Sequence, residues 1–120
     1  MIIDAKSLPK GSALNRAFAL RWATIPGAPA LVAEHQGIEG RRYRFDFAHP
    51  ASMTAIEIDG GLWRGGKGGH TSGSGAIRDR EKDLQATLAG WTVIRLTPEM
   101  SRDRAVLAEI VGLIERRMKK

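Results

Sequence analysis

RYRFDFAHPASMTAIEIDGGLWRGGKGGHTSGSGAIRDREKDLQATLAGWTVIRLT, residues 42–97, carries the succession of patterns from which the fold is read. Tyr43, Phe45 and Phe47 alternate with Arg42, Arg44 and Asp46, a period of two that predicts a strand with aromatic rings on one face and charges on the other. His49, Pro50, Ala51 and Ser52 are turn-forming types, so the run 53–59 that follows them predicts an antiparallel partner. Successive side chains of a strand point to opposite sides, which places Glu57 and Asp59 on one face and Ile56 and Ile58 on the other. Like charges sharing a face repel, a cost tolerated mainly where a cation stands between them. The pairing also brings Asp46 near Glu57, in a register that the sequence leaves open.

Residues 60–75 hold eight of the fourteen glycines, with Trp63, Arg64, Lys67 and His70 among them. Such a loop cannot pack a core. It can bring backbone N–H groups and cations close to a phosphate chain, and the bland alternative is a flexible linker. It contains no Walker-type GKS or GKT and no dinucleotide fingerprint, which argues against a nucleotide cofactor. The stretch 77–89 predicts a helix with Ile77, Leu84 and Leu88 on one stripe, and Glu81 falls on that stripe. Glu81 then lies either at the edge of the core or in the acidic site. Gly90 closes the helix, and 91–96 reads as a further strand.

On the N-terminal side, 1–11 reads as an arm and Ser12 as an N-cap. Leu14, Phe18 and Trp22 form the apolar stripe of a helix over 13–23, which Pro26, Gly27 and Pro29 end. A short strand over 31–36 and a turn over 37–40 lead to the quoted stretch. Beyond it, a last helix capped at Ser101 buries Val106, Leu107, Ile110, Val111, Leu113 and Ile114, with Arg116, Arg117, Lys119 and Lys120 at its negative end. The order is helix, three strands, helix, strand, helix, which predicts one small α/β domain with helices on both sides of a mixed sheet.

A chain of 120 residues suffices for one core, and the absence of cysteine removes disulfides and thiolate metal sites. The sequence has no apolar run of membrane-spanning length and no secretory signal, so a soluble, cytoplasmic protein with no membrane partner is expected. A net charge of +6 favours a polyanionic partner, against the alternative of a merely solvated basic surface.

FDF, ten residues further EIDGG, then a tryptophan, a glycine-rich loop with a histidine, and a charged helix ending LAGWTVIRLT make a linked set. It resembles the small PD-(D/E)XK nucleases of phages and prophages, together with the very-short-patch repair endonucleases and the group with a VDF then EVDG pattern. The resemblance covers roughly residues 43–97 and implies a restriction-endonuclease-like αβββαβ core, here with an extra C-terminal helix. Carried over residue by residue, Asp46 stands at the first acid and Glu57 at the second. Gly60 and Trp63 follow the site strand, and Gly90 with Trp91 enters the last core strand. The third motif position, usually lysine, is Asp59, so the basic group must come from elsewhere: Lys82 as a migrated lysine, or Lys67 or His70 in the loop. Relatives of this kind often place a glutamate where Asn15 stands, which removes one expected acid.

The resemblance implies Mg²⁺, with Mn²⁺ as an alternative, held by Asp46, Glu57 and the Ile58 carbonyl, and hydrolysis of a phosphodiester with Lys82 or His70 assisting. Arg44, Arg64, Lys67 and His70 would contact DNA, which with a second copy of the chain makes up the implied partners. The bland alternative pairs Glu57 and Asp59 with Arg42, Arg44 or Arg95 in salt bridges. Two classes of function follow. One is a metal-dependent DNA endonuclease of phage or prophage DNA processing, repair or junction resolution in a bacterial host cell. The other is a nuclease-fold module that binds nucleic acid after losing catalysis, and Asn15 favours it.

Overall fold

The computed structural model of the chain describes residues 13–59 and 73–119. The expected arm, the cap at Ser12 and most of the glycine-rich loop, with Gly60, Trp63, Arg64, Lys67 and His70, lie outside the described residues. Helix α1, Ala13–Trp22, leads through Pro26, Gly27 and Pro29 to β1, Val32–His35. Strand β2, Phe45–His49, a 3-10 turn at Pro50–Ser52, and β3, Thr54–Ile58, follow. Then come α2, Gly73–Leu88, β4, Thr92–Leu96, and α3, Arg104–Met118. The described residues thus form a mixed α/β fold whose four strands lie in the order β1-β2-β3-β4, antiparallel except for the parallel pair β3·β4.

The parallel pair needs a crossover, and α2 lies within the connection that supplies it. Strand β3 is buried along its whole length, as expected of a strand with partners on both sides and helices over both faces. On one face α1 and α3 pack Phe18, Trp22, Leu107 and Ile114 against Phe47, Ile56 and Ile58. The other face is smaller, with Phe45, Ala48, Ala55 and Trp91 under Ala86 of α2.

Several expectations are corrected. The buried face of α1 includes Asn15 and Ala19 beside Phe18 and Trp22, and half-buried Leu14 packs against the same core. Asp103, not Ser101, caps α3, its carboxylate accepting from the N–H groups of Ala105 and Val106, while Ser101 is buried in a preceding turn and donates to the Pro98 carbonyl. Helix α2 begins at Gly73, inside the stretch read as loop. Its apolar stripe does not face the sheet: Ile77, Leu84 and Leu88 are 61%, 55% and 72% exposed. Glu81 is exposed with them, so it lies neither at the core edge nor in the acidic site. The helix is rotated so that Ala86 is buried while Lys82 and Asp83 reach charged partners on the sheet. Among the described residues no helix is long and apolar enough to cross a membrane.

Candidate active site

The ladder between β2 and β3 is regular from His49↔Thr54 to Phe47↔Ile56 and ends there. Beyond that point side chains replace backbone partners. The Asp46 N–H donates to Glu57 Oε2 at 2.7 Å, and the Ile58 N–H donates to Asp46 Oδ2 at 2.8 Å. Each acid is therefore held by the main chain of the opposing strand, and two carboxylates fill the gap in the sheet. Charged acceptors make such bonds stronger than neutral carbonyls would. In a strand the N–H and C=O of one residue point the same way, so the Ile58 carbonyl is directed to the same side as its N–H.

On the opposite edge of β2 the pairs Ala33↔Phe47 and His35↔Phe45 leave Glu34 and Asp46 between them. Glu34 has φ +55°, a left-handed conformation uncommon outside glycine and asparagine. The regular alternation of β2 fails at the same place. Phe47 packs on Phe18 with ring centroids 4.9 Å apart, whereas Phe45 packs at the same separation on Trp91, in the other cluster. The single aromatic face expected for Tyr43, Phe45 and Phe47 is thereby split at Asp46.

Two groups reach the acids from the helices. Lys82 of α2 donates through Nζ to Glu57 Oε1 at 2.7 Å and to the Arg44 carbonyl at 2.8 Å, with Nζ 5.6 Å from the centre of the Phe45 ring. Asn15 of α1, 6% exposed, hydrogen-bonds through its side chain to Asp46. No buried side-chain nitrogen or oxygen among the described residues lacks a partner.

Burial raises the pKa of both acids. For Asp46 desolvation is opposed by the Ile58 N–H, Asn15 and Lys82, while the charge of Glu34 adds to the rise. Glu57 is raised by desolvation and then by the charge of Asp46, and Lys82 opposes both. Neither carboxylate gains in its present setting what it loses by leaving water.

Asp59 takes a different position from the one its spacing suggests. It follows the end of β3, and its N–H donates to the Leu96 carbonyl at 2.8 Å. Its carboxylate pairs with Arg95 Nη1 at 3.2 Å, and Arg95 Nη2 pairs with Asp83 of α2. The salt-bridge alternative thus holds for Asp59 and Arg95, whereas the partner of Glu57 is Lys82, and Arg42 and Arg44 are exposed.

Of the residues singled out from sequence, Asp46, Glu57, Ile58, Lys82 and Asn15 meet at one place, Asp59 lies beside it in an ion pair, and Glu81 is elsewhere. Lys67, Arg64 and His70 are outside the described residues. Glu34 and Asp83 were missed. A left-handed φ at Glu34 leaves no mark in residue type, and Asp83 is one acid among several on a charged helix.

Among the described residues no group of three or more His, Cys, Asp or Glu side chains is arranged to hold a metal ion. Two carboxylates, a carbonyl and water still match the way Mg²⁺ is commonly held, through one or two acids while keeping several waters. The hard oxygen donors of Asp46 and Glu57 fit that ion. No family model, no curated protein and no solved structure matches this chain.

Proposed function

We propose that the protein is a metal-dependent endonuclease of restriction-endonuclease-like architecture that hydrolyses phosphodiester bonds in DNA. The observation that carries this reading is the convergence of Asp46 and Glu57, from the diverging ends of β2 and β3, with Lys82 from α2. Half-buried Asp46 and buried Glu57, both with raised pKa values, share one lysine whose Nζ also donates to the carbonyl of exposed Arg44, and this leaves negative charge uncompensated beside that arginine. This is the charge pattern for a divalent ion within and a phosphate chain across the mouth.

Asp46 and Glu57 would hold Mg²⁺, with the Ile58 carbonyl beside them. When bound, the ion lowers the pKa of water and offsets charge on the phosphate. Lys82 is an ammonium held in a fixed place by Glu57 and the Arg44 carbonyl, able to donate to a phosphate oxygen or to orient the attacking water. Arg44 and Arg42 neutralise phosphates outside the reacting one, which sets affinity rather than rate. Asn15 keeps Asp46 oriented by hydrogen bonding.

A second reading, a nuclease-fold module that binds nucleic acid without cleaving it, is favoured by Asn15, a neutral amide against Asp46. Incubating supercoiled plasmid with the purified protein and Mg²⁺ or Mn²⁺, beside an EDTA control and the Asp46→Ala variant, separates the two. Nicking by the wild type alone supports the enzyme. Binding with no nicking in either metal supports the module, and neither binding nor nicking removes DNA as the partner.

A further inference from the structure

An amphipathic helix normally seats itself by burying its apolar stripe, and α2 does the reverse. From residue 77 to its end only Ala86 is buried, while the three large aliphatic residues face outward. Its side-chain bonds to the sheet include charged ones: Lys82 to Glu57 and to the Arg44 carbonyl, and Asp83 to Arg95. Lys82 and Asp83 are neighbours on the helix and diverge by about 100° around its axis, so two anchors in two directions define its rotation as well as its place.

Arg95 is the centre of the second anchor. In the parallel β3·β4 register it is the Cα partner of Glu57, and its guanidinium joins Asp83 of α2 to Asp59 just past β3. The fork of an arginine holds a carboxylate in a defined direction, which a flexible ammonium does not. We infer that Arg95 is a positioning residue: by holding Asp83 against β4, with Asp59 steadying its own guanidinium, it sets the seat of α2 that delivers Lys82 to Glu57. The role assigned to Lys82 in cleavage rests on the nuclease reading, but the coupling of Arg95 to Lys82 does not. Asp59 then acts from the third motif position at one remove, by fixing the arginine that fixes the lysine-bearing helix.

The test reads Lys82 directly. The full chain in EDTA is pulsed with an amine-acetylating reagent, and modification of Lys82 is followed by peptide mass spectrometry, with exposed Lys119 as the internal reference. In Arg95→Gln and in Asp83→Asn, Lys82 is expected to react about fivefold faster while Lys119 is unchanged, a coupling of the size found within one network of side-chain bonds. Arg95→Lys restores part of the protection, and Asp59→Asn gives a smaller rise than Asp83→Asn. If Arg95→Gln does not fold, Asp83→Asn decides. Wild-type reactivity of Lys82 in a folded Arg95→Gln or Asp83→Asn protein overturns the inference. In the cleavage arm, Arg95→Gln lowers kcat about tenfold in the wild-type background and has no further effect on Lys82→Met, since residues that act through one another are not additive. Additive losses also overturn it. A wild type that cleaves nothing defeats the nuclease reading, and the labelling arm still decides for or against Arg95.

Discussion

The backbone N–H of Asp46 donates to the carboxylate of Glu57 across 2.7 Å, so the main chain of the first acid holds the second. With the return bond from the Ile58 N–H to Asp46, the two carboxylates take over the ladder where β2 and β3 part. The acids thereby have a structural part beside the one proposed for them in cleavage. Removing one frees a backbone donor as well as a charge, which is why near-isosteric variants are the informative ones.

Asp46→Asn and Glu57→Gln keep an oxygen for those N–H groups and remove the charge. Each is expected to lower cleavage by at least about a thousandfold while the circular dichroism spectrum stays that of the wild type. Cleavage within tenfold of the wild type by either folded variant would eliminate the acid pair as the reactive centre.

Stability should carry the sign of the raised pKa values. The folded protein holds the protons of Asp46 and Glu57 to higher pH than the unfolded chain does, so their contribution is favourable in acid. It declines as pH rises from the ordinary carboxylate range through the raised values, and above them the penalty is constant. Asp46→Asn has no such proton to lose. The stability of this variant minus that of the wild type, from urea titrations in EDTA, should therefore grow from pH 4 towards neutrality and then level off. A difference independent of pH contradicts the electrostatic account.

Asn15 touches Asp46, so a glutamate there places a third acid against the pair. In EDTA, Asn15→Glu should unfold at a lower temperature than the wild type because a buried charge is added without a partner. Mg²⁺ should recover more stability in the variant than in the wild type, and nicking should reach half its maximum at lower Mg²⁺. Superimposable Mg²⁺ responses would show that α1 does not reach the ion.

DNA affinity should fall steeply with salt, with a log–log slope of roughly −0.9 for each phosphate neutralised. Replacing Arg42 and Arg44 together by glutamine should shrink that slope by up to about two such steps and weaken all sequences alike. An unchanged slope in a fluorescence anisotropy titration would place the phosphate contacts on other residues.

Leu84→Ala offers a check on the rotation of α2. A buried leucine truncated to alanine costs about 2–5 kcal/mol, whereas a solvent-facing one usually lies within about 0.5 kcal/mol of the wild type. The exposure of Leu84 predicts the small value by chemical denaturation.

The sequence makes the strand pair, the crossover helix and the meeting of Asp46 with Glu57 legible through the turn at His49 to Ser52 between two apolar runs, a local signal, whereas the single aromatic face read from Tyr43 to Phe47 is split at Asp46. Lys82 stands out in the sequence only through the family resemblance. What could not be read was how α2 faces the sheet. Periodicity picks out Ile77, Leu84 and Leu88 as the inner stripe, yet the helix turns Lys82 and Asp83 to charges on β3 and β4, and those pairings are tertiary facts. The departure at Glu34 and Asp46 was hidden for a related reason: a break in a ladder is a relation between strands, while alternation is a property of one. Asp59 follows the end of β3 and turns its carboxylate to Arg95 of β4, a partner that spacing along one strand does not reveal.

The parallel pairing of β3 with β4 also bears on the order in which this region assembles. Asp46 and Glu57 are 11 residues apart, whereas Lys82 meets Glu57 across 25 and Arg95 meets Asp59 across 36. Closing the longest of these loops costs about 1 kcal/mol more in chain entropy than closing the shortest. The acids are therefore expected to be neighbours before either cation arrives, and the β2–β3 hairpin must form against its own repulsion. Refolding, followed by stopped-flow fluorescence, should then be faster in Asp46→Asn than in the wild type, and the advantage should vanish when salt screens the pair. Geometry laid down for the finished site thus governs how quickly the chain can reach it.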